Sequence, residues 1–188
     1  HFAREIVRPT ETVSGAKTEA LTDAVFGGRT EGGVPAIHVS CDSGEQLKTV
    51  AAMSEVTMIS FGSDSLPPEQ WGTVISEIHE AGKQAYLLLP QIFRTEAERF
   101  FTAQAEVLVN LPFDALIVRN LEEPGFFGKL YESRGKNYPG LLFDFQVYGM
   151  NREAQRCLRN FGAVRLTLPI EETARELRAL ETEGQELV

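Results

Sequence analysis

Residues 85–119 read AYLLLPQIFRTEAERFFTAQAEVLVNLPFDALIVR, and their reading decides the fold. Two apolar runs, Ala85–Leu89 and Ala115–Arg119, bound the stretch. Neither alternates apolar with polar residues, so each suits a strand covered on both faces. Between them, Ala97, Phe101, Ala105 and Leu108 recur at helical spacing and predict one helix over 96–109, with Thr95 and Glu98 matching a capping box at its start. A strand, a helix and a second strand of this kind form a parallel pair joined by a crossover.

The same grammar extends to both sides. Upstream lie Ala36–Ser40 (AIHVS) and Thr57–Phe61 (TMISF); downstream lie Leu141–Phe145 (LLFDF) and Val164–Leu168 (VRLTL). The six runs start 21 to 30 residues apart, enough in each case for a strand, a helix and two loops. Residues 46–53 predict a short first helix. Residues 68–81 predict another, with Trp71, Val74, Ile75 and Ile78 on one face, prolines 67 and 68 at its first turn and Gly82 at its end. Residues 151–161 predict a helix with Ala154, Leu158 and Phe161 inward, Arg152, Arg156 and Arg159 on a solvated face and Gly162 as C-cap. A last helix is expected at about 173–183, with Leu177 and Leu180 inward.

This alternation defines an α/β chain of about six βα units with parallel strands. A doubly wound nucleotide-binding sheet carries a Gly-X-Gly-X-X-Gly turn after its first strand, and neither that nor a Walker motif occurs here. Even spacing favours a TIM-barrel-like arrangement, but a full eight-unit barrel takes ~250 residues. With 188 residues the expectation is a partial barrel over 35–188, preceded by a linker or N-terminal arm over 1–34 that holds Pro9, Gly27-Gly28 and Gly32-Gly33. The chain starts at His1 rather than Met, and the expectation is a piece of a longer protein.

Composition narrows the function classes. The formal net charge is −9, with 43% hydrophobic and 24% charged residues. That excludes collagen-like, low-complexity and disulfide-stapled classes and argues against general nucleic-acid coating, which needs a basic surface. Cys41 and Cys157 are too few for a disulfide framework, no Asn-X-Ser/Thr acceptor occurs, and no apolar run reaches the ~18 residues of a membrane helix. A cytoplasmic protein without membrane contact is expected.

In parallel α/β folds, chemistry gathers at the carboxyl ends of the strands. The polar residues there are Ser40, Cys41 and Asp42; Ser63 and Asp64; Gln91 and Arg94; Arg119, Asn120, Glu122 and Glu123; Asp144, Gln146, Tyr148 and Asn151; Thr167, Glu171 and Glu172. Asp42, Asp64, Glu122 and Glu123 precede helices and are expected to cap them. Asp144 lies within an apolar run and needs a partner, for which Arg119 is the natural choice; an ion pair serving structure and one serving a site are equally open. Both cysteines are expected to be small packed thiols, because no histidine is placed to act as their base. No CxxC or HxxxH spacing supports a metal site, and none is expected.

Four strand-end segments resemble a known family. Leu89-Pro90-Gln91-Ile92-Phe93-Arg94 is similar to the LPxIxR segment of long members of the peptidase U32 (collagenase-like peptidase) family. Val118-Arg119-Asn120-Leu121-Glu122-Glu123 is similar to their VRNLEE segment. Asp144 through Asn151-Arg152-Glu153-Ala154 resembles D-x-x-LYTFNREA, with Tyr148-Gly149-Met150-Asn151 in place of YTFN. Pro169-Ile170-Glu171 through Glu176-Leu177 resembles P-x-ELNxxEL, with Glu171-Glu172-Thr173 in place of ELN. The matches run in order from about Ala36 to Leu180, and the family's cysteine signature is absent.

The resemblance implies the C-terminal barrel-like portion of a long bacterial member. It implies Arg119, Asp144 and Glu171 as candidate catalytic residues and Arg94, Asn120 and Asn151 as candidate substrate-binding residues. It implies no cofactor in this chain, with an iron–sulfur cluster possible in the remainder of the polypeptide, which would be a partner. The family name implies hydrolysis of peptide or collagen-like substrates. Other branches act in hydroxylation of RNA bases or quinone precursors, which leaves a non-catalytic barrel half or RNA-positioning module as the alternative.

Overall fold

The computed structural model describes residues 36–177 and 180. The arm expected over 1–34 and most of the chain after Leu177 lie outside the described residues. In chain order the elements are β1 (Ile37–Cys41), α1 (Gly44–Ala51), β2 (Val56–Gly62), α2 (Pro68–Glu80), β3 (Gln84–Leu88), α3 (Thr95–Ala103), α4 (Ala105–Leu108), β4 (Ala115–Val118), α5 (Glu123–Glu132), β5 (Gly140–Phe143), a 3-10 turn (Phe145–Val147), α6 (Arg152–Asn160), β6 (Ala163–Leu166) and α7 (Ala174–Leu177). All six apolar runs are strands.

The strands form one sheet in the order β1-β2-β3-β4-β5-β6, and every neighbouring pair is parallel. A doubly wound sheet reverses its strand order at a switch point. This one never does, which excludes that architecture. Consistent right-handed crossovers in a sequential sheet place every helix on the same side. The packing agrees. One face of the strands, with Ile59, Phe61, Leu87, Leu116, Val118 and Phe143, packs on Trp71, Ile75, Ile78, Phe101, Phe127 and Tyr131 of the helices. The opposite face forms a separate, smaller cluster of Met58, Tyr86, Ala115, Ile117 and Leu142, flanked by Leu88 and Val164.

The sheet is strongly curled. Strands stack about 4.8 Å apart, so in a flat sheet β2 and β6 would stand ~19 Å from each other. Yet Arg165 Nη1 of β6 lies 3.3 Å from Met58 Sδ of β2. Two side chains bridge that gap only if the sheet bends toward a barrel. The fold is therefore an α/β sheet of six parallel strands, consistent with an incomplete TIM-barrel-like arrangement.

The helices follow their sequence signals to different degrees. In α2 all four expected residues, Trp71, Val74, Ile75 and Ile78, are buried, Pro68 occupies the first turn, and Gly82 adopts φ +72° after its end. Gly162 likewise takes φ +97° after α6. A Cβ at either glycine would meet the left-handed penalty, which explains why glycine stops both helices. The single helix over 96–109 is instead two, broken at Gln104. Its capping box is not formed: the helix begins at Thr95, so Arg94 holds the N-cap position, and its guanidinium has no oxygen to accept a cap bond. Beneath that start Phe93 stacks on Phe101, and Phe127 meets both rings at steeper angles.

In α6 the inward residues are Gln155 and Leu158, whereas Phe161 is 48% exposed. Phe161 sits past the last helical turn, where the 3.6-residue stripe no longer applies. A capping box does form at α7, where Thr173 N–H donates to Glu176 Oε2 (2.9 Å) and Glu176 N–H to Thr173 Oγ1 (3.4 Å). The Thr173 hydroxyl, which donates to Glu176 Oε2 at 2.7 Å, and the Thr173 N–H hold the Glu176 carboxyl below its ordinary range.

At the amino ends of the strands, polar side chains fasten helices to the sheet. Lys83 Nζ donates to the Met53 and Val56 carbonyls at 2.6 Å each. Asp114 accepts from Ala85 N–H (2.7 Å) and pairs with His79 Nε2 (2.9 Å), tying the end of α2 to β3. This leaves the opposite, carboxyl end of the sheet as the face where strand-end polar residues meet.

Candidate functional site

β4 and β5 deliver the central pair. Val118 pairs with Phe143, so the residues that follow them, Arg119 and Asp144, emerge side by side at the carboxyl end. Arg119 Nε lies 3.5 Å from Asp144 Oδ2 and donates a hydrogen bond to Gln146 Oε1 at 2.9 Å. Both charged side chains are mostly sheltered, at 23% and 15% exposure. Asp144 stands one residue beyond β5 rather than inside it, and its Oδ1 accepts from Phe145 N–H (2.9 Å) to cap the 3-10 turn. That turn is what brings Gln146 back over Arg119. Tyr148 then takes a left-handed conformation, φ 56°, the one such residue other than glycine among those described.

A second group joins the loops after β3 and β4. Arg94 Nη1 pairs with Glu122 Oε2 at 3.2 Å, with both side chains largely in solvent. Asn120 Oδ1 accepts from Glu122 N–H at 3.0 Å, closing the loop on itself. Asn151 is the N-cap of α6 and accepts from Ala154 N–H at 2.8 Å. Glu171 is exposed on the turn after β6. The structure thus brings Arg119 to Asp144 and Arg94 to the Asn120 loop, while Asn151 serves as a helix cap. Beside these groups, at the ends of β2 and β3, a groove of about 420 Å³ is lined by Ser63, Asp64, Leu66, Pro68, Pro90 and Phe100.

Helix capping is distributed differently from the sequence expectation. Ser43, not Asp42, caps α1 through a bond from Gln46 N–H, and Pro67, not Asp64, precedes α2. Glu122 holds the N-cap position of α5 but makes no side-chain cap bond. Glu123 is fully buried at the first residue of α5, and its Oε2 accepts from the N–H groups of Arg119 (2.7 Å) and Asn120 (3.1 Å). Its Oε1 is buried with no hydrogen-bond partner among the described residues. Burial pushes the carboxyl up to about 8, against the lowering effect of the two N–H bonds and of Arg119. The signal was legible: Glu123, Phe127, Leu130 and Tyr131 share one stripe of α5, so Glu123 falls on the buried face.

The cysteines separate. Cys41 is buried as expected, and burial together with Asp42 raises its thiol, which keeps it a weak nucleophile. Cys157 is exposed rather than packed, because the face of α6 that turns inward is that of Gln155 and Leu158. Among the described residues no three His, Cys, Asp or Glu side chains gather as metal ligands, and no helix is long and apolar enough to cross a membrane.

No family model matches the chain, and no curated protein is similar to it.

Proposed function

We propose that this chain is the barrel portion of a U32-type, collagenase-like enzyme, and that its strand carboxyl ends form the polar mouth that holds substrate. The observation that carries this reading is the Arg119–Asp144 pair, set on adjacent strands and bonded to Gln146. A sheltered arginine whose charge is partly balanced by one carboxylate keeps free N–H donors for a substrate carbonyl or carboxylate. In this reading Arg119 and Gln146 bind, Asp144 orients the guanidinium, and Arg94 and Asn120 shape the rim. Asn151 acts only by fixing the start of α6, and Glu171, exposed on the turn after β6, is a catalytic candidate on the strength of the resemblance. The reading places the protein in the cytoplasm, with a peptide substrate and with the remainder of a longer polypeptide as its partner.

The chain alone is expected to show no peptidase activity, because no side chain among the described residues at the mouth is set up as an activated nucleophile. Peptide and gelatin hydrolysis, RNA modification and metal content should be measured in parallel on the longer protein, purified without oxygen. Loss of peptide turnover on Arg119→Ala and Asp144→Asn would support the reading. Turnover by the chain alone that vanishes on Asp144→Asn would overturn its incompleteness, and RNA modification without hydrolysis would overturn the peptidase assignment.

A further inference from the structure

A carboxyl group that is fully buried, yet tied to two backbone amides of the mouth loop, is an unusual loop anchor. Glu123 Oε2 takes both the Arg119 and the Asn120 N–H, while Oε1 has no partner among the described residues. These two amides belong to the segment that carries the Arg119 side chain to Asp144 and Gln146. The neutral carboxyl fits this setting: one oxygen accepts both N–H bonds, and only an uncharged hydroxyl is left buried. The ionised form strengthens the two bonds but leaves half of a carboxylate buried without a donor. The charged group that acts on it directly is Arg119. Asp144, from the end of β5, stands beyond that guanidinium, and the exposed Arg94–Glu122 pair stands at the preceding turn.

We propose that Glu123 is a positioning residue that latches the mouth loop: its carboxyl fixes the Arg119 and Asn120 backbone, and with it the Arg119 guanidinium, and loss of its proton releases the loop. The direction follows from linkage. In the opened loop the carboxyl reaches water and titrates in its ordinary range, near 4.5, whereas in the closed loop it titrates at about 8. Between these values the open form binds fewer protons than the closed form. Opening therefore becomes easier as pH rises, and the latch is fully set below the lower value. Any effect on turnover rests on the proposed mouth; the physical switch does not.

Amide hydrogen exchange on the 188-residue chain tests this without any substrate. After correction for intrinsic rates, protection at the Arg119 and Asn120 amides should fall about tenfold per pH unit between ~5 and ~8. The Leu89 amide, bonded to Ile117 in the sheet, should change little over the same range. In Glu123→Gln, which keeps the acceptor and removes the charge, the two loop amides should follow Leu89. Equal pH dependence in wild type and variant would overturn the latch. So would parallel loss at Leu89, because Glu123 would then report only global unfolding. If Glu123→Gln does not fold, infrared spectroscopy of the wild type decides: a protonated-carboxyl band at pH 7 that disappears in step with the loop amides supports the latch, and its absence overturns it.

Discussion

Gln155 shows how a polar residue can sit in a core without paying its way in contacts. It is fully buried beneath α6, and neither its Nε2 nor its Oε1 has a hydrogen-bond partner among the described residues. An orphaned buried amide costs about 1–3 kcal/mol, while an apolar side chain of the same shape costs nothing of the kind. Gln155→Met is therefore expected to stabilise the protein by about 1 kcal/mol in urea denaturation. A destabilised variant would mean that the amide has a partner after all. Residues of this type explain why the candidate site was only partly legible. That Asp144 needs a cation, and that Arg119 is near in the repeat, follows from reading the chain. That Glu123 faces inward while Glu122 faces out depends on the phase of a helix that starts one residue earlier or later. The two glutamates look alike by themselves, and only the stripe of Phe127, Leu130 and Tyr131 further along the helix marks Glu123 as the inward one.

Single side chains also join the elements to each other. Asp114 accepts the Ala85 N–H at the entry to β3 and pairs with His79 at the end of α2. Ala85 is fully buried, so losing that acceptor leaves its main-chain donor without its side-chain partner. Asp114→Ala is expected to cost about 1–3 kcal/mol, read as a lower urea midpoint at unchanged slope. No change in the midpoint would show that β3 is held by its ladder alone. At this scale the sequence was most informative, because strand and helix periodicities are local. All six strands and the inward face of α2 follow from apolar spacing. The errors fall at boundaries: the capping box at Thr95 and the inward Phe161 both fail at a helix end, where a shift of one residue changes which side chain caps or turns inward.

The whole molecule has one tryptophan, and it is well placed to report on folding. Trp71 is fully buried, donates to the Leu66 carbonyl at 3.0 Å, and meets Phe100 of α3 and Phe113 before β4 edge-on. Its surroundings therefore depend on two successive βα units and the loop that leads into β4. Tryptophan fluorescence and far-ultraviolet dichroism are expected to change together during urea denaturation, as one cooperative transition. Two separated transitions would show that the units unfold piecemeal. The alternation of apolar runs and amphipathic segments determined by itself that this is a parallel α/β protein of six units, since burial on both faces of a strand leaves a mark in every residue of it. Strand order, the curl that brings Arg165 to Met58, and the meeting of Arg119, Asp144 and Gln146 were decided only in the tertiary structure. The side-chain contacts among these join residues 25 to 107 positions apart, and no local pattern encodes which distant partner a strand or a charge will find.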